Sequence, residues 1–411
     1  MGLTCGIDWA EGHHDVAVVD EAGNVLAERR IGVGAAGFAD LLGVLAECGD
    51  SPDQSIPVGI ESSSLLLVSA LLAGGRKVYA INPLAVSRYR DRHRASRAKS
   101  DARDAIVLAN ILRTDAHAHR PIPSDSDGVK ALRVLTRAQQ DAVWDRVGLT
   151  NRIRGVLRRY FPAAVAAFER GGKHRLDSPA CRVILRAAPT PSAADKLSLA
   201  RLQALLRRAG RTRGIDAEAR RLQTYLRRTE LRQPLAVEGA MGIQLQALVD
   251  QLDAICRAVD VLTAAAEQLF LSHRSAVIVT SMPGAGSVIG ARLLAEIGDD
   301  SKRFADARAL KAYAGAAPVT RASGKSHHVG YRRAKSDRIA AAGYIWVRAA
   351  LVHDLACRSY YQARRRTGDR HVGAQRNLFN KLLGKLYHCL QTNQRYDSAT
   401  AFPNHHLPTA A

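Results

Sequence analysis

Cysteine is scarce in this chain. Six thiols, at positions 5, 48, 181, 256, 357 and 389, are scattered through 411 residues, with no CxxC pair and no clustered histidine beside them. That spacing excludes a disulfide framework and a thiolate zinc site, and it suits reduced thiols in a cytoplasmic protein. Long apolar runs are also missing. No uninterrupted stretch reaches membrane-spanning length and no signal peptide precedes the first expected strand, so no membrane partner is expected. Acidic residues are under-represented: 38 Asp and Glu against 60 Lys and Arg, a formal net charge of +22. Such an excess favours a polyanionic partner through phosphate neutralisation and counterion release, although ribosomal and membrane-surface proteins share the balance. With 47% hydrophobic and 24% charged residues the chain is globular in composition, and its length allows two or three domains.

Strand and helix signals alternate over residues 1 to about 82. Val16-Ala17-Val18-Val19 and Val25-Leu26-Ala27 flank the turn composition Asp20-Glu21-Ala22-Gly23-Asn24, which predicts a hairpin. A helix over 36–48, a strand over Ile56–Ile60, a helix over 64–73 and a strand over Lys77–Ile81 follow. This order predicts a mixed sheet with helices on its faces, an α/β domain ending near 128. Residues 129–272 are rich in Ala, Leu, Arg and Gln, broken by Pro189-Thr190-Pro191 and Gln233-Pro234 into at least three helical pieces. Leu248, Leu252, Ile255, Val259 and Leu262 recur at three- and four-residue steps, an amphipathic helix of coiled-coil character. A mostly helical segment spans 273–398 and a tail 399–411.

Four carboxylates carry the chemical signal. Asp8 ends the apolar run Cys5-Gly6-Ile7, Glu61 closes Val58-Gly59-Ile60, and Asp101 and Asp104 open a helical stretch. Residues three apart on a helix share a face, so the last pair converges. Two strand-end acids and a helix pair together suit two hard, oxygen-seeking cations, a phosphoryl-transfer site in outline. Taken singly, each acid is more simply a cap or a solvated helix residue. The basic run Arg88, Arg90, Arg92, His93, Arg94, Arg97 and Lys99 leads straight into Asp101 and would lie along a phosphate backbone. Trp9, next to Asp8, reads as core packing rather than base stacking. The pairs Arg207-Arg208, Arg220-Arg221 and Arg227-Arg228 read equally as solvated faces or as a nucleic-acid stripe.

In the last third, Met282-Pro283-Gly284-Ala285-Gly286 lies between apolar segments and resembles a helix-hairpin-helix turn. Gly284 and Gly286 would let backbone N–H groups approach a phosphate, with a helix N-terminus behind them; a plain loop is the alternative. After Tyr313-Ala314-Gly315 comes a loop-like stretch ending Arg321-Ala322-Ser323-Gly324-Lys325, with His327-His328 beyond it as candidate phosphate ligands or acid–base groups.

The order Asp, Glu, then Asp-x-x-Asp resembles the RNase H-like fold in its RuvC-like form. More narrowly, Ile81-Asn82-Pro83, Ser87-Arg88-Tyr89-Arg90 and Lys99-Ser100-Asp101, with the Pro-Gly-x-Gly and Ser-Gly-Lys elements, resemble the DEDD insertion-sequence transposases, the IS one-ten family. The likeness covers residues 1 to about 110 and 275 to about 398. It implies a DNA recombinase that moves its own insertion sequence, with Asp8, Glu61, Asp101 and Asp104 holding two Mg²⁺ ions and Ser323 as nucleophile. Lys325 and Arg321 would steady the charge that develops. It further implies donor and target DNA as substrates, a structured non-coding guide (bridge) RNA, a dimer or tetramer assembled on DNA with the helix near 245–269 as candidate surface, and a cytoplasmic, nucleoid-associated location. A RuvC-like junction-resolving endonuclease using water is the alternative.

Overall fold

The computed structural model describes residues 2–62, 66–93, 101–324 and 326–403; at 93, 101 and 102 it describes the backbone alone. The chain divides into two compact units, Met1–Ser124 and Asp125–Ala411.

In the first unit, β1 (Thr4–Trp9), β2 (His13–Val19) and β3 (Val25–Gly32) form an antiparallel meander. After α1 (Gly34–Glu47) the chain returns as β4 (Val58–Ile60), parallel to β1; α2 (Leu66–Ala73) then leads to β5 (Val78–Ala80), parallel to β4. The order β3-β2-β1-β4-β5 is the mixed sheet expected. Its tight turn at Asp20–Asn24 is closed by Asp20, whose Oδ1 accepts from Asn24 N at 2.8 Å.

Alternation along the strands sends each face to a different layer. Cys5, Ile7, Val16 and Val18 pack with Leu41 and Leu45 of α1 and Val68 and Leu71 of α2. The opposite face carries Thr4 and Gly6, against which α4 (Asp101–Asp115) lies after α3 (Pro83–His93). A Cβ on Gly6 would stand 2.0 Å from Ala105 O and 2.5 Å from Ala109 N. Only glycine there lets α4 sit directly on the sheet.

The second unit is helical. It opens with α5 (Asp127–Tyr160) and α6 (Pro162–Ala167), then a two-strand ribbon of β6 (Glu169–Arg170) and β7 (Lys173–His174). Four shorter helices follow: α7 (Pro179–Ala187), α8 (Pro191–Asp195), α9 (Leu199–Arg208) and α10 (Ile215–Leu226). Thr190 N-caps α8 with Pro191 in its first turn, so the Pro-Thr-Pro break falls between helices as its chemistry requires. Next comes α11 (Leu235–Leu271). Gln139 bonds Thr263 and Gln233 bonds Arg159 O, so α5 and α11 run antiparallel. The amphipathic stripe of α11 is buried inside the chain: Leu245, Leu248, Val249 and Leu252 join the core of the middle helices, and Ala266 and Phe270 join the C-terminal core.

The C-terminal part contains α12 (Ala276–Ser281), α13 (Ser287–Ile297), α14 (Ala307–Tyr313), the hairpin β8 (Val319–Ser323) and β9 (Ser326–Gly330), α15 (Asp337–His353), α16 (Leu355–Arg366), α17 (His371–Thr392) and α18 (Ser398–Ala401). Fully buried Trp346 centres its core, edge-on to Phe379, with its Nε1 donating to Pro283 O at 2.9 Å. Among the described residues no single helix is long and apolar enough to cross a membrane.

Candidate functional site

The carboxylates are ordered by register. Thr4 Oγ1 donates to Ala109 O at 3.0 Å, and the next residue on that face, Gly6, meets Ala105. Two strand residues therefore match four helix residues in the reverse sense, as rises of about 3.3 and 1.5 Å require. One further step carries the half-buried Asp8 toward the first turn of α4, which holds Asp101 and Asp104. Ile7 pairs with Ile60 in the parallel β1–β4 ladder, so Asp8 and Glu61 follow side by side at the strand ends. Sheet register orders Asp8 and Glu61 at the ends of neighbouring strands, and helix spacing sets Asp101 and Asp104 three residues apart in one turn.

Asp104 is buried, 6% exposed, and Arg90 Nη1 donates to both its oxygens at 3.0 and 3.1 Å. Arg90 thus turns inward, while Arg88 and Arg92 on the same helix stand exposed. Arg94, Arg97 and Lys99 lie outside the described residues. Among the described residues no three His, Cys, Asp or Glu side chains gather into a metal-holding group, and the Asp101 side chain is not among those described. The donors present are nonetheless all carboxylate oxygens, which suit a hard divalent cation. A guanidinium on buried Asp104 shows that this position requires a counter-charge.

A fifth acid escaped sequence reasoning. Asp15 is the cross-strand partner of Asp8 on β2 and therefore shares its face. It is 5% exposed and gripped by Arg30, Nε to Oδ1 at 2.9 Å and Nη2 to Oδ2 at 3.1 Å, with His13 Nε2 3.5 Å away. Its signal was its position on the strand antiparallel to β1, at equal distance from the turn. Trp9 is 45% exposed and does not pack into the core, because it lies where β1 leaves the sheet.

The Ser-Gly-Lys segment is a hairpin rather than a loop. Ser323 pairs with Ser326 at its tip, and Gly324 turns the chain with φ +54, a conformation suited to glycine. Lys325 lies outside the described residues. Arg321 pairs with His328 and Ala322 with His327, so alternation puts Ser323, Arg321, Ser326 and His328 on one face and His327 on the other. Ser323 and Arg321 are exposed.

The turn between α12 and α13 has a structural reason for its first glycine. Gly284 has φ +72, and a Cβ there would lie 2.5 Å from Ala350 N of α15. Gly286 caps α13 with open space around it. Nearby, α14 and α17 form a basic surface where burial, then the charges of Arg308, Lys381 and Lys385, push the Lys311 ammonium pKa down. Among the middle arginines, Arg221 binds Glu218 and Ala167 O, Arg227 binds Leu197 O, and Arg228 stacks on Tyr225 at 4.0 Å. These three serve the fold.

Comparison with known proteins agrees across the chain. Residues 5–162 match a family model for DEDD transposases of the IS110 type, described as "Transposase". Residues 276–362 match "Transposase IS116/IS110/IS902 family". The chain is 56% identical over 404 residues to the "Mini-circle putative transposase for IS117" of Streptomyces coelicolor, covering 98% of this chain and 97% of the relative. It is 31% identical over 328 residues to the "Insertion element IS110 uncharacterized 43.6 kDa protein" of the same organism, covering 79% and 78%. With the "Insertion element IS900 uncharacterized 42 kDa protein" of Mycobacterium paratuberculosis it shares 28% over 400 residues, covering 96% and 97%.

Proposed function

The chain belongs to the IS110 family of transposases, and on that footing we propose that it cuts and rejoins DNA through a serine–DNA intermediate supported by a carboxylate-bound metal centre. What supports this reading is the register: Ile7 pairs with Ile60, so Asp8 and Glu61 come next on adjacent strands, and Gly6 lies against Ala105 of the helix whose first turn bears Asp101 and Asp104.

In this reading the first unit is an RNase H-like domain of RuvC-like form, and Asp8, Glu61, Asp101 and Asp104 would hold two Mg²⁺ ions. A divalent ion held there would supply positive charge to the scissile phosphate and to the leaving oxygen. Arg90 balances Asp104 when no cation does. Arg88 and Arg92 hold the DNA backbone beside the acids. Ser323, exposed on the hairpin tip, forms an Oγ–P bond as the P–O bond to the deoxyribose breaks, and the released deoxyribose oxygen takes a proton from solvent water and leaves as a hydroxyl. His328, on the same face, takes the serine proton, and Arg321 steadies the phosphorane charge. One phosphoester replaces another, so rejoining needs no nucleotide triphosphate.

Donor and target DNA are the substrates, a non-coding guide RNA selects them, and a dimer or tetramer on DNA completes the site. The stripe of α11 that sequence offered as an assembly surface is occupied within the chain, which leaves its outward side chains Ile243 and Val261, 71% and 68% exposed, for that role.

The test is to incubate the protein with its flanking RNA, labelled donor and target DNA and Mg²⁺, then denature. A DNA–protein adduct in the wild type that vanishes in Ser323→Ala supports the reading. Cleaved DNA without adduct, unchanged by Ser323→Ala, replaces it with a junction-resolving endonuclease that uses water.

A further inference from the structure

At the base of the serine hairpin, among α14, α15 and α17, lies a cavity of about 210 Å³. Tyr331, the residue after β9, and Tyr344 of α15 line it and remain 52% and 53% exposed. Phe379 and small residues make its floor. Two glycines let its walls pack closely: a Cβ on Gly343 would stand 2.1 Å from the Phe379 ring, and one on Gly315 would stand 2.2 Å from Lys335 Cδ.

The rim is cationic. Lys335 Nζ lies 5.5 Å and Arg376 Cζ 5.9 Å from the Tyr331 ring centre, and Arg348 Cζ lies 5.8 Å from that of Tyr344. Asp337 pairs with Lys335. Inside, Gln375 is 6% exposed, and its buried Oε1 accepts no hydrogen bond from any described residue. A buried amide oxygen left without a donor is costly, so its presence at the wall of a cavity points to a ligand that donates to it.

Exposed aromatic faces, flanking cations and one amide oxygen without a donor are complementary to a nucleobase with its phosphates. An apolar peptide side chain would use the rings but neither the cations nor the amide. We propose that this cavity receives an unstacked nucleobase of the bound nucleic acid, stacked on Tyr331 and Tyr344 and read at its edge by Gln375. Lys335, Arg348 and Arg376 hold the flanking phosphates. The hairpin spans four residue steps from the Val319–Gly330 pair to the Ser323–Ser326 pair, roughly 13 Å at the strand rise. That is about four base steps along a duplex strand, so the base received lies close to the phosphate Ser323 would attack. The inference rests on the proposed reading that this unit engages nucleic acid at the hairpin.

The test compares equilibrium binding of the full-length protein to a labelled single-stranded oligonucleotide and to an abasic backbone of the same length. The wild type is expected to bind the base-bearing strand roughly tenfold more tightly. The Tyr331→Ala, Tyr344→Ala double variant loses that preference while its affinity for the abasic strand is unchanged. The corresponding Phe substitutions retain the preference, and Gln375→Leu reduces discrimination among homopolymers of different base. Equal binding of both strands by the wild type, or a preference that survives the double alanine variant, overturns the proposal while leaving the nucleic-acid reading in place. Absence of salt-dependent binding to either strand would remove the nucleic-acid reading, and the cavity's role with it.

Discussion

Arg90 holds both oxygens of Asp104, at 3.0 and 3.1 Å, with the carboxylate buried and the guanidinium side chain 30% exposed. Asp104 is one of the proposed metal ligands, so the pair works as a charge balance at that position. Replacing Arg90 with Ala leaves a buried carboxylate without its partner, a change that costs about 3–5 kcal/mol for a buried pair and less here because Arg90 is part-exposed. The expected outcome is a lower melting temperature that Mg²⁺ raises more in Arg90→Ala than in the wild type. Equal Mg²⁺ responses would separate Asp104 from the metal.

Asp104→Asn keeps the shape but removes the charge. Strand cleavage is expected to be lost with DNA and RNA affinity retained, measured by gel assay and equilibrium binding side by side. A loss of binding accompanied by altered circular dichroism would instead assign Asp104 to the fold.

Hairpin register separates two adjacent histidines. His328 shares a face with Ser323, and His327 does not. His328→Ala is expected to slow adduct formation roughly 100-fold, the scale of a lost acid–base group, whereas His327→Ala leaves the rate near wild type. Equal effects of the two would show that neither acts through Ser323.

Gly6→Ala tests the contact on which the acid site depends. The added methyl would meet Ala105 O at 2.0 Å, backbone that cannot yield. Overpacking of this kind costs about 1–3 kcal/mol or more, and displacement of α4 should also abolish cleavage. Gly12→Ala, where a Cβ meets nothing within 4 Å, is the control. Thermal unfolding and the adduct assay together report both effects.

Acid stability should depend on Glu238, which is 2% exposed. Hydrogen bonds from Arg232, at 2.5 and 2.7 Å, hold its carboxyl below the ordinary glutamate value, against a smaller opposing desolvation. A depressed folded value gives stabilisation that is full above the unfolded carboxyl value near 4.5 and is lost as pH falls through the folded one. Glu238→Gln is therefore expected to flatten the fall in melting temperature below that pH. An unchanged acid limb would place the responsible group elsewhere.

Much of the molecule was legible from its residues. The turn at Asp20–Asn24, the strands ending in Asp8 and Glu61 and the helix opening at Asp101 follow from local periodicity and turn chemistry, which act over a few residues. Trp9, expected in the core, is exposed because burial depends on where a strand leaves its sheet. The hairpin bearing Ser323 is hidden in the sequence because Val319–Ser323 and Ser326–Gly330 carry polar residues on both faces, so no apolar alternation marks it. The relation of Asp15 to Asp8 exists only across the β1–β2 ladder, so no stretch of sequence displays it. Arg90 was grouped with its basic neighbours since nothing local distinguishes an arginine that turns inward.

The sequence by itself determined the family, the order of the four acids, the serine motif and the positive charge, since these are properties of residue type and spacing. Tertiary structure alone decided which residues are brought together: Arg90 with Asp104, Asp15 opposite Asp8 across the β1–β2 ladder, His328 on the Ser323 face, and Tyr331 with Tyr344 around one cavity. Those pairings join residues brought together by strand register and helix packing. Register depends on whole faces being buried at once, a cooperative condition that no short window of sequence contains.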